Sequence, residues 1–312
     1  MSGWESGKNV FIFMNMKNPF KFRPICGLGI ILIALSNSVY SQQVVDDSYY
    51  SPPVYKRTTT KKIVYVDQQH NNLHSLAGGY KPFGMVLSQN GFKALPYRKW
   101  FKKDELGEIK VLVICNALNN KNFETWDAPN PSAFDSKEIK ALNEWVKEGG
   151  ALFLIADHMP FAGAATDLAK SFGFTFYNGF AIDPNNNTGD LYIKGKGLQE
   201  NEVTKGLDSI VSFTGSLFDA PPEAKKVLVA DSRFDYHLPK RAWVFDQNSE
   251  KIPAAGKCQL AYMTYGKGKI VVSGEAAMFT AQLTGDKKVG MNSPKAPNNY
   301  KLLLNLVTWL VE

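Results

Sequence analysis

DSKEIKALNEWVKEGGALFLIADHMPF, residues 135–161, is the stretch whose reading decides the fold. Ile139, Leu142, Trp145 and Val146 recur at the spacing of one helical face, which predicts a helix over 136–148. Asp135 stands where a cap belongs, and Glu138 follows three residues later in the capping-box position. Gly149-Gly150 stops the helix, because glycine accepts the left-handed conformation past a helix end. The next residues, Ala151 to Ala156, are continuously apolar, as in a parallel strand covered on both faces. That strand ends abruptly on Asp157-His158, and a second helix follows over 164–172, stopped by Gly173.

The same rhythm extends outward. Upstream lie strand-like runs at 63–66 and 111–115, with a helix at 82–89 ended by Asn90-Gly91. Downstream come strand candidates at 210–214, 227–230 and 260–265, and a tight turn through Gly266-Lys267-Gly268 into 270–273. A last helix over 299–311 carries Leu302, Leu303, Leu306, Trp309 and Leu310. Short apolar strands alternating with helices predict an α/β fold: an open, mostly parallel sheet with helices on both faces. An irregular, β-rich insertion is expected around 180–225. Residues 61–312 read as a single domain, and the polar, Tyr/Pro/Thr-rich stretch 42–60 as a flexible leader.

The first 41 residues read differently. Lys17, Lys21 and Arg23 precede an apolar run from Ile25 to Leu35, and Ser38-Val39-Tyr40-Ser41 offers small residues for a peptidase. This is a signal-peptide pattern whose start is Met16, with an uncleaved anchor as the alternative. The run is short for a membrane span, so no span is expected in the mature chain, which would be periplasmic or extracellular. The whole chain has 312 residues and a net charge of +7. Lys8, Lys17, Lys21 and Arg23 against Glu5 account for +3 of it, leaving +4. Without a basic tract, nucleic acid is not an expected partner. Outside the signal segment stand Cys115 and Cys258, read as buried thiols, with a disulfide between them as the alternative.

Ligands of open α/β sheets bind beyond the carboxyl ends of the strands. Those positions here are Asp67, His70, Asn71, Asn72 and His74 after the first strand, and Asn116 after the 111–115 strand. Asp157 and His158 follow the 151–156 strand, and Glu275 follows 270–273. Three of the four histidines fall in this set. Imidazoles beside carboxylates suit general acid–base work or a divalent metal. The expected catalytic set is Asp157, His158, Glu275 and His70; the expected substrate-binding set is Asp67, Asn71, Asn72, His74 and Asn116. Against this stands a plainer reading, in which Asn71 and Asn72 are turn residues and Glu275 caps the turn after it. His70 and His74 are four apart but lack the H-E-x-x-H pattern, so no cofactor is firmly expected and a divalent metal stays open. Phe174, Phe176, Tyr177, Phe180 and Tyr192, near the insertion, read chiefly as core, with stacking on sugars as the alternative.

The layout resembles the class I glutamine amidotransferase-like fold over roughly residues 61–312. The resemblance is carried by Asp67 to His74, by Ala156-Asp157-His158-Met159-Pro160-Phe161, and by Gly274-Glu275-Ala276-Ala277-Met278-Phe279. It looks like an exported bacterial branch that lacks the cysteine nucleophile. Glutaminases hold G-x-C-x-G at the strand-to-helix turn; here Asp157-His158 stands there, and no downstream His-x-Glu pair is present. A thioester route needs a thiolate at that turn. The resemblance therefore implies a fold and a site, not glutaminase activity. Three functions follow as expectations: an exported hydrolase acting on an envelope or carbohydrate-type substrate, a non-catalytic domain that binds a ligand or protein, or a structural envelope protein docked to a membrane complex.

Overall fold

The helix expected at 136–148 is Ser136–Glu148 in the computed structural model, which describes residues 43–55, 62–186, 188–247 and 249–312. Its start is a full capping box: Asp135 accepts from the amides of Lys137 and Glu138, and Glu138 accepts from the amide of Asp135. Its end needs both glycines. Gly149 sits at φ +126, and a Cβ on Gly150 would fall 2.2 Å from the Trp145 ring. The chain then enters the strand Ala151–Ile155, every residue of which is buried.

That strand lies inside a mixed, twelve-stranded sheet. Its main path runs Ser209–Ser212, Asp190–Lys194, Gly197–Leu198, Lys225–Val229, Cys258–Tyr265, Gly268–Ser273, Ala151–Ile155, Val111–Cys115, Lys62–Asp67, Phe92–Tyr97. The last five of these run parallel. From Gly268–Ser273 toward the other end the pairing is largely antiparallel. The sheet is therefore mixed rather than mostly parallel. Most strands of the expected insertion lengthen this antiparallel half, but its first, Phe180–Ile182, pairs with Asp235–Leu238 in a separate three-stranded sheet.

Side chains alternate along each strand, and two cores follow from that. Val111, Val113 and Cys115 pack with residues of the helices Lys81–Gln89 and Asn299–Val311. Leu112 and Ile114 pack with residues of Ser136–Glu148 and Phe161–Ser171. Each fully buried aliphatic side chain contributes roughly 1.5–3 kcal/mol relative to exposure. These two cores are what hold the strand ends in place.

Two stretches differ from expectation. Phe92–Tyr97 reads poorly as a strand because Lys93 and Pro96 interrupt it; as the edge strand it pairs on one side only, where proline is tolerated. The expected flexible leader is, over residues 43–55, laid against the fold. Gln43–Val45 pairs antiparallel with Ala281–Thr284, and Tyr55 Oη donates to Asn305 Oδ1. The signal-peptide reading falls outside the described residues. Among those residues no helix is long and apolar enough to cross a membrane, and Cys115 and Cys258 are both free, buried thiols.

Candidate functional site

The first strand of the parallel half, Lys62–Asp67, sits between its successor Phe92–Tyr97 and the later Val111–Cys115, so the chain reverses its direction of advance there. Crevices form at such points, beyond the strand ends. Cys115, Ile155 and Ser273 are in register across three adjacent parallel strands. Asn116, Asp157 and Glu275 thus leave the sheet side by side. Asn116 takes φ +48, and its Oδ1 accepts from the Asp157 amide at 2.9 Å. Its Nδ2 is buried without a partner. Asp157 Oδ1 in turn accepts from the His158 amide at 2.8 Å.

His158 opens the turn into Phe161–Ser171, with a cis Met159–Pro160 peptide behind it. Its Nδ1 donates to the Met159 carbonyl at 2.7 Å, which leaves the Nε2 lone pair uncommitted. Aromatic rings frame the imidazole. Phe180 stacks on it at 4.6 Å, Trp243 meets it edge-on at 4.7 Å, and Trp126 and Phe161 lie at 6.0 and 5.8 Å.

Glu275 is fully buried. Its carboxylate accepts from the amides of Ala277 at 2.9 Å and Met278 at 2.6 Å, capping the turn Ala277–Phe279. Burial pushes its pKa well above the ordinary carboxylate range, and the nearby Asp157 charge pushes the same way. Glu275 is also closely packed by a neighbouring loop. The Thr214-Gly215-Ser216 loop crosses Gly274-Glu275 so tightly that a Cβ on Gly215, at φ +102, would lie 2.5 Å from the Gly274 carbonyl oxygen.

His74 is buried and stacked on Tyr80 at 5.1 Å, with rings 3° from parallel. Neither of its ring nitrogens makes a hydrogen bond within the described residues. Burial, with His158 adding like charge, lowers its pKa to about 4, so it is neutral at neutral pH. Gly79 is required beneath it, because a Cβ there would be 2.2 Å from His74 Nδ1.

The remaining expected site residues face elsewhere. His70 is expected in the catalytic set, but both of its ring nitrogens are engaged. Nδ1 lies 2.9 Å from Asp67 Oδ2 and Nε2 3.1 Å from Glu138 Oε1, with the ring stacked on Phe101 at 4.4 Å. Burial would lower its pKa, yet the two carboxylates outweigh that and raise it. Asp67 also accepts from Asn72 Nδ2 at 3.0 Å, and Asn72 donates to the Cys115 carbonyl. Asn71 takes φ +48 and donates to the Leu118 carbonyl and to Asn120. Asp67, His70, Asn71 and Asn72 therefore shape the loop that presents His74. His74, Asn116, Asp157 and His158 are the groups left with capacity for a ligand. Among the described residues no three His, Cys, Asp or Glu side chains come together as a metal site. A cavity of about 470 Å³ lies off the opposite half of the sheet, between charged side chains such as Lys194, Glu200 and Lys205.

Sequence reasoning missed Tyr80, Trp126 and Trp243. Gly78-Gly79 before Tyr80 was a usable signal of close approach; nothing in the local sequence marks Trp243.

No protein-family model and no curated protein matches the sequence. Among solved structures the chain is similar to the mmIFT52 N-terminal domain, at 15% identity and a TM-score of 0.59, covering 80% of this chain and 97% of that one. Structure neighbours also include a ThuA-like protein from Bacteroides uniformis, at 13% identity and a TM-score of 0.46, over 84% of this chain and 96% of that one. A GMP synthase-type protein from Thermoplasma acidophilum aligns at 10% identity and a TM-score of 0.44, over 80% of this chain and 94% of that one. At such identities the first likeness speaks for the fold alone, and nothing is carried over from the other two.

Proposed function

We propose that this protein is an exported hydrolase of amidotransferase-like α/β fold, with helices on both faces of its parallel half, acting on an envelope or carbohydrate-type substrate. The observation that carries the reading is His158: its Nδ1 is tied to the Met159 carbonyl, its Nε2 is uncommitted, and Asp157 precedes it in a frame of aromatic rings. Nε2 is then the base that takes a proton from water as the water attacks, and the imidazolium returns that proton to the leaving oxygen as the substrate bond breaks. Asp157 orients that water or a substrate hydroxyl. Asn116 holds the Asp157 backbone, and its spare Nδ2 is a donor for an oxygen on the substrate. Glu275 acts from behind, shaping the turn and holding a proton in a buried place. His70 and Asp67 position the loop. Export rests on the segment 17–41.

The second reading, a binding domain without catalysis, is favoured by one observation. Both Glu275 oxygens are taken by backbone amides, so the acid–base set is smaller than the sequence suggested. The deciding experiment incubates the full chain with a panel of glycans and peptidoglycan fragments and follows reducing-end release. Hydrolysis requires product from the wild type and none from Asp157→Ala or His158→Ala. Binding without product selects the second reading, and product from both variants refutes the site.

A further inference from the structure

Trp243 is a large aromatic residue held where aromatic residues seldom sit. Its φ is +64, and its surface is 51% exposed. A bulky side chain in the left-handed region is a backbone outlier that surrounding structure must enforce. The enforcement is visible. Arg241 grips Asp127 through two nitrogens, at 2.7 and 3.0 Å. Ala128 N donates to the Lys240 carbonyl at 2.7 Å, and Ala242 N to the Trp126 carbonyl at 3.0 Å. The segment is thus clamped onto the loop that carries Trp126. The clamp sets the Trp243 ring against His158 at 4.7 Å and Phe180 at 4.8 Å, while the neighbouring Val244 and Phe245 stay partly open to solvent.

We infer that Trp243 is the stacking wall of a neutral-saccharide site above His158, an assignment that rests on the His158–Asp157 reading above and deepens it. An exposed indole offers a large apolar face with little rotamer entropy to lose. Beside the ring, His158 Nε2 is an acceptor for a sugar hydroxyl; behind it at the strand ends stand the Asp157 carboxylate and Asn116 Nδ2, a buried donor without a partner. The Asp157 carboxylate disfavours an anionic ligand. Among the described residues no lysine or arginine bonds to Asp157, His158 or His74, and Arg241 is already engaged by Asp127. Geometry disfavours a flat base. Trp243 and His158 stand 71° apart, so they form one wall and one edge rather than a parallel-sided slot. A pyranose ring, apolar on one face and hydroxylated at its rim, matches one wall with polar groups beside it.

The test is isothermal titration calorimetry of the full chain with cellohexaose, mannohexaose, N-acetylchitohexaose and, as a flat-ring control, adenosine. At least one oligosaccharide should bind the wild type. Trp243→Ala should weaken that binding by roughly tenfold or more. Trp243→Gly is the second variant: glycine accepts the left-handed backbone, so its melting temperature should hold or rise while binding is still lost. Absence of oligosaccharide binding, unchanged affinity in both variants, or Trp243-dependent binding of adenosine alone overturns the assignment. Binding that both Trp243 variants lose, without any product from the wild type, would support the Trp243 wall while refuting hydrolysis. Product formation that Trp243→Gly leaves unchanged in KM would refute the wall and spare the hydrolase.

Discussion

His70 Nε2 lies 3.1 Å from Glu138 Oε1, so one imidazole joins the loop after the strand Lys62–Asp67 to the capping box of the helix Ser136–Glu148. Glu138 also accepts from the Phe101 amide at 3.0 Å, which adds a third segment to the same carboxylate. Replacing His70 by Leu would leave the buried Asp67 and Glu138 facing an apolar group. We expect a loss of about 3 kcal/mol or more in denaturant unfolding. The pH sign is definite. The folded pKa is raised above 6.5, so the histidine's contribution is complete below 6.5 and disappears as pH rises through the folded value. The stability gap between wild type and His70→Leu should shrink in alkaline buffer, and a gap that widens there would contradict the doubly held imidazolium.

His74 behaves in the opposite sense. Its pKa falls from 6.5 to about 4 because burial disfavours the charged ring. Between those values the unfolded chain binds a proton that the folded chain does not, so stability drops as pH falls through this window. The drop is on the order of 3 kcal/mol in all. His74→Phe keeps the stack on Tyr80 and removes the titration. Thermal melts between pH 7 and pH 4 should therefore show a shallower decline for the variant; equal slopes would place the proton elsewhere.

The tight crossing at Gly215 offers a backbone test. Its φ of +102 and the 2.5 Å gap to the Gly274 oxygen leave no room for a methyl group. Gly215→Ala should cost more than about 2 kcal/mol and disturb the Glu275 turn. Gly206, at φ +76 with nothing within 4 Å of a built Cβ, is the control. Its alanine variant should lose only about 1 kcal/mol, for conformation alone. Similar losses in urea titrations of the two variants would rule out the steric account.

What the sequence disclosed divides along physical lines. The helix from Ser136, its cap at Asp135, its glycine stop and the apolar strand after it are local events, and each was visible in a window of a dozen residues. So was the exit of Asp157-His158 at a strand end. The strand Phe92–Tyr97 stayed hidden because an edge position tolerates Pro96, and being an edge is a property of the whole sheet. His70 looked equivalent to His158 in sequence. Only folding shows that Asp67 and Glu138, 71 residues apart, occupy both of its nitrogens. Trp243 sits 85 residues after His158, on a segment whose conformation is set by the Arg241–Asp127 clamp, so no local pattern could have placed it.

Glu275 supplies a final test, since its fully buried carboxyl is pushed well above its usual 4.5. For a folded value raised in this way, the contribution to stability is complete below 4.5 and is lost as pH rises through the folded pKa. Glu275→Gln imitates the protonated form at every pH. At low pH the variant should be less stable by about 1 kcal/mol, because the amide cannot accept from both Ala277 and Met278. As pH rises the wild type alone loses the contribution, so the variant should close that deficit and then overtake it. Parallel stability curves for the two proteins across pH 4 to 9 would mean that Glu275 is ionised throughout, held by the two amides despite its burial. Its role would then be that of a fixed anionic cap behind Asp157, and the proton needed at the site would have to come from His158 or solvent.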